Sequence, residues 1–179
     1  MRSGYVVFLV GFMGAGKTSV GRALGRRLGW EFEDLDDRIQ AREGRTIEAI
    51  FRESGEAEFR RAELAALSDL LTGSPSSSSR VIALGGGAFA NQKSRALLAS
   101  SGAPIVFLDA SVEELWRRCA AETNSRPLRR NQEQFRQLYE VRRSAYLEAS
   151  LHVDTEAKDV ETVAGEVLAR LGFNRQADH

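Results

Sequence analysis

The octapeptide GFMGAGKT, residues 11–18, directly follows the apolar run YVVFLV and directly precedes a stretch with helical periodicity. Gly11, Gly16, Lys17 and Thr18 have the spacing of a glycine-rich loop whose backbone N–H groups wrap a phosphate chain. A helix that starts near Lys17 adds unpaired N–H groups and about half a positive charge at its N-terminus. The pattern assigns Gly14, Ala15, Gly16, Lys17, Thr18 and Ser19 to a nucleotide's phosphates. In that role Lys17 bridges the β- and γ-phosphates and the Thr18 hydroxyl ligates Mg²⁺.

A second group of chemically able residues lies in EDLDD, residues 33–37. In extended chain, residues two apart point to the same side, so Asp34 and Asp36 both face the end of the sheet where the loop lies. One faces the metal and the other an acceptor. Phosphoryl transfer to an alcohol needs a carboxylate that orients the hydroxyl and takes its proton, whereas hydrolysis positions a water instead. A short acidic cluster is otherwise a helix N-cap or a solvated turn, and it is the neighbouring phosphate loop that tips the reading toward chemistry.

Arginine placement speaks to the acceptor's charge. Phe135, Leu138, Tyr139, Arg142 and Tyr146 fall on one helical stripe, which puts a guanidinium in an otherwise apolar face. Arg60 sits at the border of a second such stripe, beside Phe59. Each arginine alone is commonly a chain that snorkels to water or pairs with an acid such as Glu63 or Glu148. Two together suit a small substrate with a carboxylate, held by bidentate pairs. Gly85, Gly86 and Gly87 end a strand, where three residues without side chains let a substrate meet backbone N–H donors. Arg126, in a polar segment beside Pro127, is placed to act as an arginine finger supplied in cis. His152 reads as structural, and Trp30 and Trp116 as core or pocket wall.

These residues need a scaffold, and the periodicity supplies one. Strands are predicted at Tyr5–Val10, 31–35, RVIALGGG, APIVFLDA and around HVDT. Helices are predicted after the glycine loop, in DDRIQAREG and TIEAIFRESG, and over about 56–71, 91–100, 112–122, 134–149 and 160–171. Ser111 with Glu114 three residues on has the form of a capping box. Gly21 and Gly25, four apart on the first helix, allow a close neighbour. Alternating strands and helices imply a three-layer α/β/α fold with a central parallel sheet of about five strands, its ligand beyond their carboxyl ends.

At 179 residues the chain suits one domain, with a core over 5–171, a lid over about 123–134 and a disordered tail over about 173–179. Lys plus Arg and Asp plus Glu number 25 each, so no basic field of the nucleic-acid-binding kind exists. A single cysteine, Cys119, excludes an internal disulfide and any multi-cysteine zinc site. No segment approaches the roughly 20 apolar residues of a membrane span, and Tyr5–Val10 is too short for a signal core. A cytoplasmic monomer with small-molecule partners is the expectation, and TGSPSSSS, residues 72–79, reads as a solvated connection.

Taken in order, GFMGAGKT, DLDD, GRTIEAIF, GEAEFRRAE, ALGGGA, RPL and RRSAY closely resemble the shikimate kinase family, a small member of the P-loop kinase group, along nearly all of residues 5–171. The resemblance implies transfer of the ATP γ-phosphate to the 3-hydroxyl of shikimate, with Mg²⁺. It implies Lys17 and Thr18 at phosphate and metal, Asp34 in the metal's water shell, and Asp36 as substrate-orienting base. It also implies Arg60, Arg142 and the Gly86 backbone on shikimate, Glu63 fixing Arg60, Phe51 and Phe59 as walls, and Arg126 as the lid arginine. Two departures stand out. Where the family often has Arg-x-Pro-Leu-Tyr, this chain has RRSAY, so Arg142 and Arg143 are both candidates, with the spacing to Tyr146 favouring Arg142. The proline commonly found after VDT is missing from VDTEAKDVE, which weakens an adenine role for Arg118. A related kinase acting on gluconate, and a regulator that binds nucleotide without turnover, are the competing readings.

Overall fold

A computed structural model describes residues 4–72, 78–122 and 131–173. Residues 73–77 of the TGSPSSSS connection, residues 123–130 of the expected lid with Arg126, and residues 174–179 of the expected tail lie outside the described residues. Five strands, β1 (Val6–Val10), β2 (Glu31–Asp34), β3 (Arg80–Ala83), β4 (Ile105–Asp109) and β5 (Leu151–Asp154), form one sheet in the order β2-β3-β1-β4-β5. Every pairing is parallel, with Leu9 opposite Ala83 on one side and Val106 on the other. A strand buried on both faces reads as a continuous apolar run, which is why VVFLV, VIA and IVFL carry no alternation.

Among the described residues, seven helices cover the sheet: α1 (Lys17–Leu28), α2 (Leu35–Glu43), α3 (Ile47–Thr72), α4 (Gln92–Ser101), α5 (Val112–Ala121), α6 (Gln132–Tyr146) and α7 (Val160–Arg170). Helix α1 packs on α7, α2 and α4 on α3, and α5 on α6. The core between them centres on Phe8, Leu9, Leu24, Ile82, Val106 and Leu108, all essentially sealed from solvent. Full burial of each such side chain contributes about 1.5–3 kcal/mol. β1 lies in the middle, and the chain fills β3 and β2 on one side before β4 and β5 on the other. The loop after β1 therefore sits where the strand order reverses, the place at which open α/β sheets take their ligands.

Several local expectations change. The predicted helices at 46–55 and 56–71 form the single run α3, interrupted at Gly55, whose φ of 82° and ψ of 175° leave helical space. Helix α6 starts two residues earlier and ends three earlier than the periodicity suggested, because Asn131 caps it, its side chain accepting from the Glu133 and Gln134 N–H groups. Residues 132–134, assigned to the lid, thus belong to that helix. At α5 only half of the capping box forms. Ser111 Oγ accepts from the Glu114 N–H at 3.3 Å, but the Glu114 carboxylate binds Arg117 and Arg118, and the Ser111 N–H donates to Glu156 instead. Phe173, placed in the tail, packs edge-on against Trp30 at 5.3 Å.

The close approach at Gly21 and Gly25 is real. A Cβ on Gly21 would stand 2.8 Å from Phe32 Cδ2, and one on Gly25 3.0 Å from the Trp30 carbonyl oxygen. These two absences let α1 lie directly on β2, which fixes the distance from the helix that carries Lys17 and Thr18 to the strand that ends in Asp34.

Candidate active site

The loop between β1 and α1 is held open by its own backbone. Gly16, the N-cap of α1, has φ 90° and no side chain to occupy the first N–H groups, so they point outward. Lys17 Nζ spans the loop, donating to the Gly11 carbonyl at 2.7 Å and the Phe12 carbonyl at 3.1 Å. Gly14, Gly16, Lys17, Thr18 and Ser19 line one cleft with Asp34, Asp36, Gly85 and Gly86. Ala15 is buried beneath the loop, and its N–H donates to the Phe12 carbonyl at 3.1 Å.

Asp34 organises two neighbours at once. As N-cap of α2 it accepts the Asp36 N–H on Oδ1 at 2.9 Å, while Oδ2 accepts from the Thr18 hydroxyl at 3.2 Å. The two acids share the cleft for a different reason from strand alternation: β2 stops at Asp34, and Asp36 lies in the first turn of α2. A hydroxyl and a carboxylate side by side beside a phosphate loop are hard oxygen donors of the kind Mg²⁺ takes. Among the described residues no cluster of three or more His, Cys, Asp or Glu could hold a metal. A cation held at Thr18 and Asp34 would need phosphate and water oxygens for its remaining ligands, as Mg²⁺ usually does.

Beside the glycine turn after β3 stand the arginines. The Arg60 guanidinium lies over the Phe59 ring at 5.1 Å and pairs with Glu63 at 2.8 Å, with Glu56 at 3.7 Å. Phe51 packs on Phe59 at 4.6 Å and remains partly exposed, so the two rings form a wall beside Arg60. Glu63 is 1% exposed, and its Oε2 has no hydrogen-bond partner among the described residues. Burial pushes its carboxyl pKa up, against the pull of Arg60. Arg142 lies over the Phe12 ring at 5.9 Å. Tyr146, one helical turn on, donates its hydroxyl to the Gly86 carbonyl, and burial raises its pKa to about 12. The neighbouring Arg143 turns away, pairing with Asp109 at 2.9 Å. Arg142, not Arg143, is thus the arginine beside Gly86.

The shikimate kinase family model matches residues 13–172. The chain belongs to the shikimate kinase family. A shikimate kinase from Persephonella marina is 33% identical over 165 residues, 92% of this chain and 98% of that one. The structure of shikimate kinase from Acinetobacter baumannii in complex with shikimate superposes with a TM-score of 0.85 at 33% identity, covering 98% of this chain and 97% of that one. A gluconokinase from Sinorhizobium meliloti, at 21% identity and a TM-score of 0.64 over 97% of this chain and 94% of that one, shares the fold.

Within this shikimate kinase frame, the structure gathers Lys17, Thr18, Asp34, Asp36, Arg60, Gly86 and Arg142 about the carboxyl ends of β1, β2 and β3. Arg126, expected over the phosphates, lies outside the described residues. Arg118 does more than sequence suggested: it bonds Glu114, the Gly14 carbonyl and Thr155, tying the phosphate loop to the end of β5. Trp30 stacks on Tyr5, at the start of β2 and far from the ligand end of the sheet, and Trp116 packs on Phe135 beneath the site. His152 lies within β5, and its Nε2 faces the carbonyls of Leu147 and Ala149, a structural role. The Tyr146 bond to Gly86 was missed. Its only signal was that Tyr146 shares a stripe with Arg142.

Proposed function

We propose that this shikimate kinase family member transfers the γ-phosphate of ATP to the 3-hydroxyl of shikimate, giving shikimate 3-phosphate and ADP. Arg60 and Arg142 hold the substrate carboxylate by charge-assisted bonds, with the Gly86 backbone and the Phe51–Phe59 wall shaping the rest of the pocket. Asp36 accepts the hydroxyl proton as the alcohol oxygen bonds to the γ-phosphorus, the bond from that phosphorus to the β–γ bridging oxygen breaks, and ADP leaves with the electron pair. Lys17 and the N–H groups at residues 14–19 hold the phosphate chain in line, and Arg126 adds positive charge. Thr18 and Asp34 would hold Mg²⁺, which neutralises charge developing on the β- and γ-oxygens. Glu63 is a positioning residue that fixes Arg60.

One observation supports this reading: Asp36, Gly85 and Gly86 line the cleft of the phosphate loop, and Asp36, Arg142 and Arg60 stand against the consecutive glycines 85, 86 and 87 at its edge. A cytoplasmic monomer without nucleic-acid or membrane partners completes the proposal, and no helix among the described residues is long and apolar enough to cross a membrane. The test is ADP release from ATP and Mg²⁺ with shikimate, with gluconate and with no acceptor. Release that depends on shikimate is expected. Preference for gluconate, or release indifferent to either acid, overturns the proposal.

A further inference from the structure

We infer that Gly85, Gly86 and Gly87 are three separate seats, each leaving room for one side chain of the transfer machinery: Asp36 at the first, Arg142 at the second, Arg60 at the third. The inference rests on the function proposed above and deepens it. A Cβ on Gly85 would stand 2.8 Å from Asp36 Oδ1. One on Gly86 would stand 3.2 Å from Arg142 Nη1 and 3.8 Å from the Tyr146 hydroxyl. One on Gly87 would meet the Arg60 guanidinium, at 2.7 Å from Nη1 and 2.8 Å from Cζ. Three consecutive positions thus abut the proposed base and the two carboxylate-binding arginines, which come from α2, α6 and α3.

Backbone freedom does not explain these glycines. The residues with left-handed φ include Gly11, Gly14 and Gly16 but none of 85–87, so no positive φ calls for glycine there. Nor can the turn retreat easily from an added methyl group. The Leu84 N–H donates to the Leu9 carbonyl, and the Gly85, Gly86 and Gly87 carbonyls accept from the Ala88 N–H, the Tyr146 hydroxyl and the Asn91 N–H. With all three carbonyls engaged, the group that yields is the side chain opposite. Asp36 is short and its N–H is already fixed on Asp34; Arg60 is tethered to Glu63.

The first and third glycines therefore carry distinct kinetic signatures. Gly85→Ala displaces the proposed base and is expected to lower kcat by roughly tenfold or more, with shikimate affinity within about threefold of wild type. Gly87→Ala displaces Arg60 and is expected to raise the shikimate KM and Kd by roughly tenfold, with kcat at saturation within about threefold. ATP affinity stays at the wild-type value in both. Steady-state kinetics and calorimetric shikimate binding, run beside wild type, read these outcomes. A wild type without shikimate turnover defeats the proposed function itself. A working wild type whose two variants show the same kcat and KM pattern, or the reverse assignment, overturns the seats alone. Adding Arg60→Ala to Gly87→Ala, or Asp36→Ala to Gly85→Ala, empties the seat, so each double variant should bind and fold no worse than its Arg60→Ala or Asp36→Ala parent. A single variant that fails to fold should regain its fold in the double. A double variant clearly worse than that parent overturns the inference.

Discussion

Arg142 and Arg143 are adjacent, carry the same charge and differ in where they point, so replacing each with alanine separates substrate binding from scaffold. Arg142 Nη1 lies against Gly86, whereas Arg143 Nη2 bonds Asp109 Oδ2 at 2.9 Å at the end of β4. A hydrogen bond to a charged group is worth about 1.5–3 kcal/mol. At 1.4 kcal/mol per tenfold, loss of the Arg142 contact to the substrate carboxylate raises the shikimate KM by roughly 10- to 150-fold. The Arg143–Asp109 pair is partly exposed, at 38% and 26% of the two side chains, which places it with surface ion pairs worth about 0–1 kcal/mol. Arg143→Ala is therefore expected to change KM by less than about fivefold and to appear mainly as a small drop in melting temperature. Coupled detection of ADP over a shikimate series at saturating ATP gives both constants. A large KM increase in Arg143→Ala with near-normal behaviour in Arg142→Ala refutes the assignment.

Other consequences are as specific. Asp36→Asn keeps the shape of the first turn of α2 but removes the proton acceptor, so kcat should fall by about 10²- to 10⁴-fold while ATP still binds, as nucleotide titration checks. Glu63 has its folded-state pKa raised by burial, so the folded protein holds that proton more tightly than the unfolded chain does. The penalty for its charge is absent below the unfolded value near 4.5 and grows as pH rises toward the raised folded value. Melting temperatures of wild type minus Glu63→Gln should therefore decline across that window; a difference that grows with pH contradicts the sign. Gly21→Ala pushes a methyl group into Phe32, and overpacking of about 1–3 kcal/mol should lower the melting temperature by roughly 3–10 °C, read by thermal denaturation.

The phosphate loop was legible because its function lies in eight consecutive residues, with strand and helix signals on either side. Arg142 was legible for a related reason: helical periodicity alone aligned it with Phe135, Tyr139 and Tyr146. Asp34 and Asp36 share a cleft, but not by strand alternation, since nothing local shows that Asp34 ends β2 and caps α2 rather than continuing the strand. Contacts between distant positions escaped altogether. Asp109 as the partner of Arg143, Tyr146 on Gly86, and the three glycines against α2, α6 and α3 each depend on how the crossovers bring separate elements to one end of the sheet. Periodicity marks which face of a helix turns inward, but not which residue of another element it meets. The bounds of α6 slipped for a smaller reason: Asn131 caps it from within a polar stretch whose composition resembles a loop.

The most direct test of the proposed arrangement is a crystal structure with shikimate and a non-hydrolysable ATP analogue bound together. The shikimate carboxylate should lie on Arg60 and Arg142, with the 3-hydroxyl about 2.6–3.2 Å from an Asp36 oxygen and directed at the γ-phosphate. A carboxylate held away from both arginines, or a 3-hydroxyl turned away from Asp36, would contradict it.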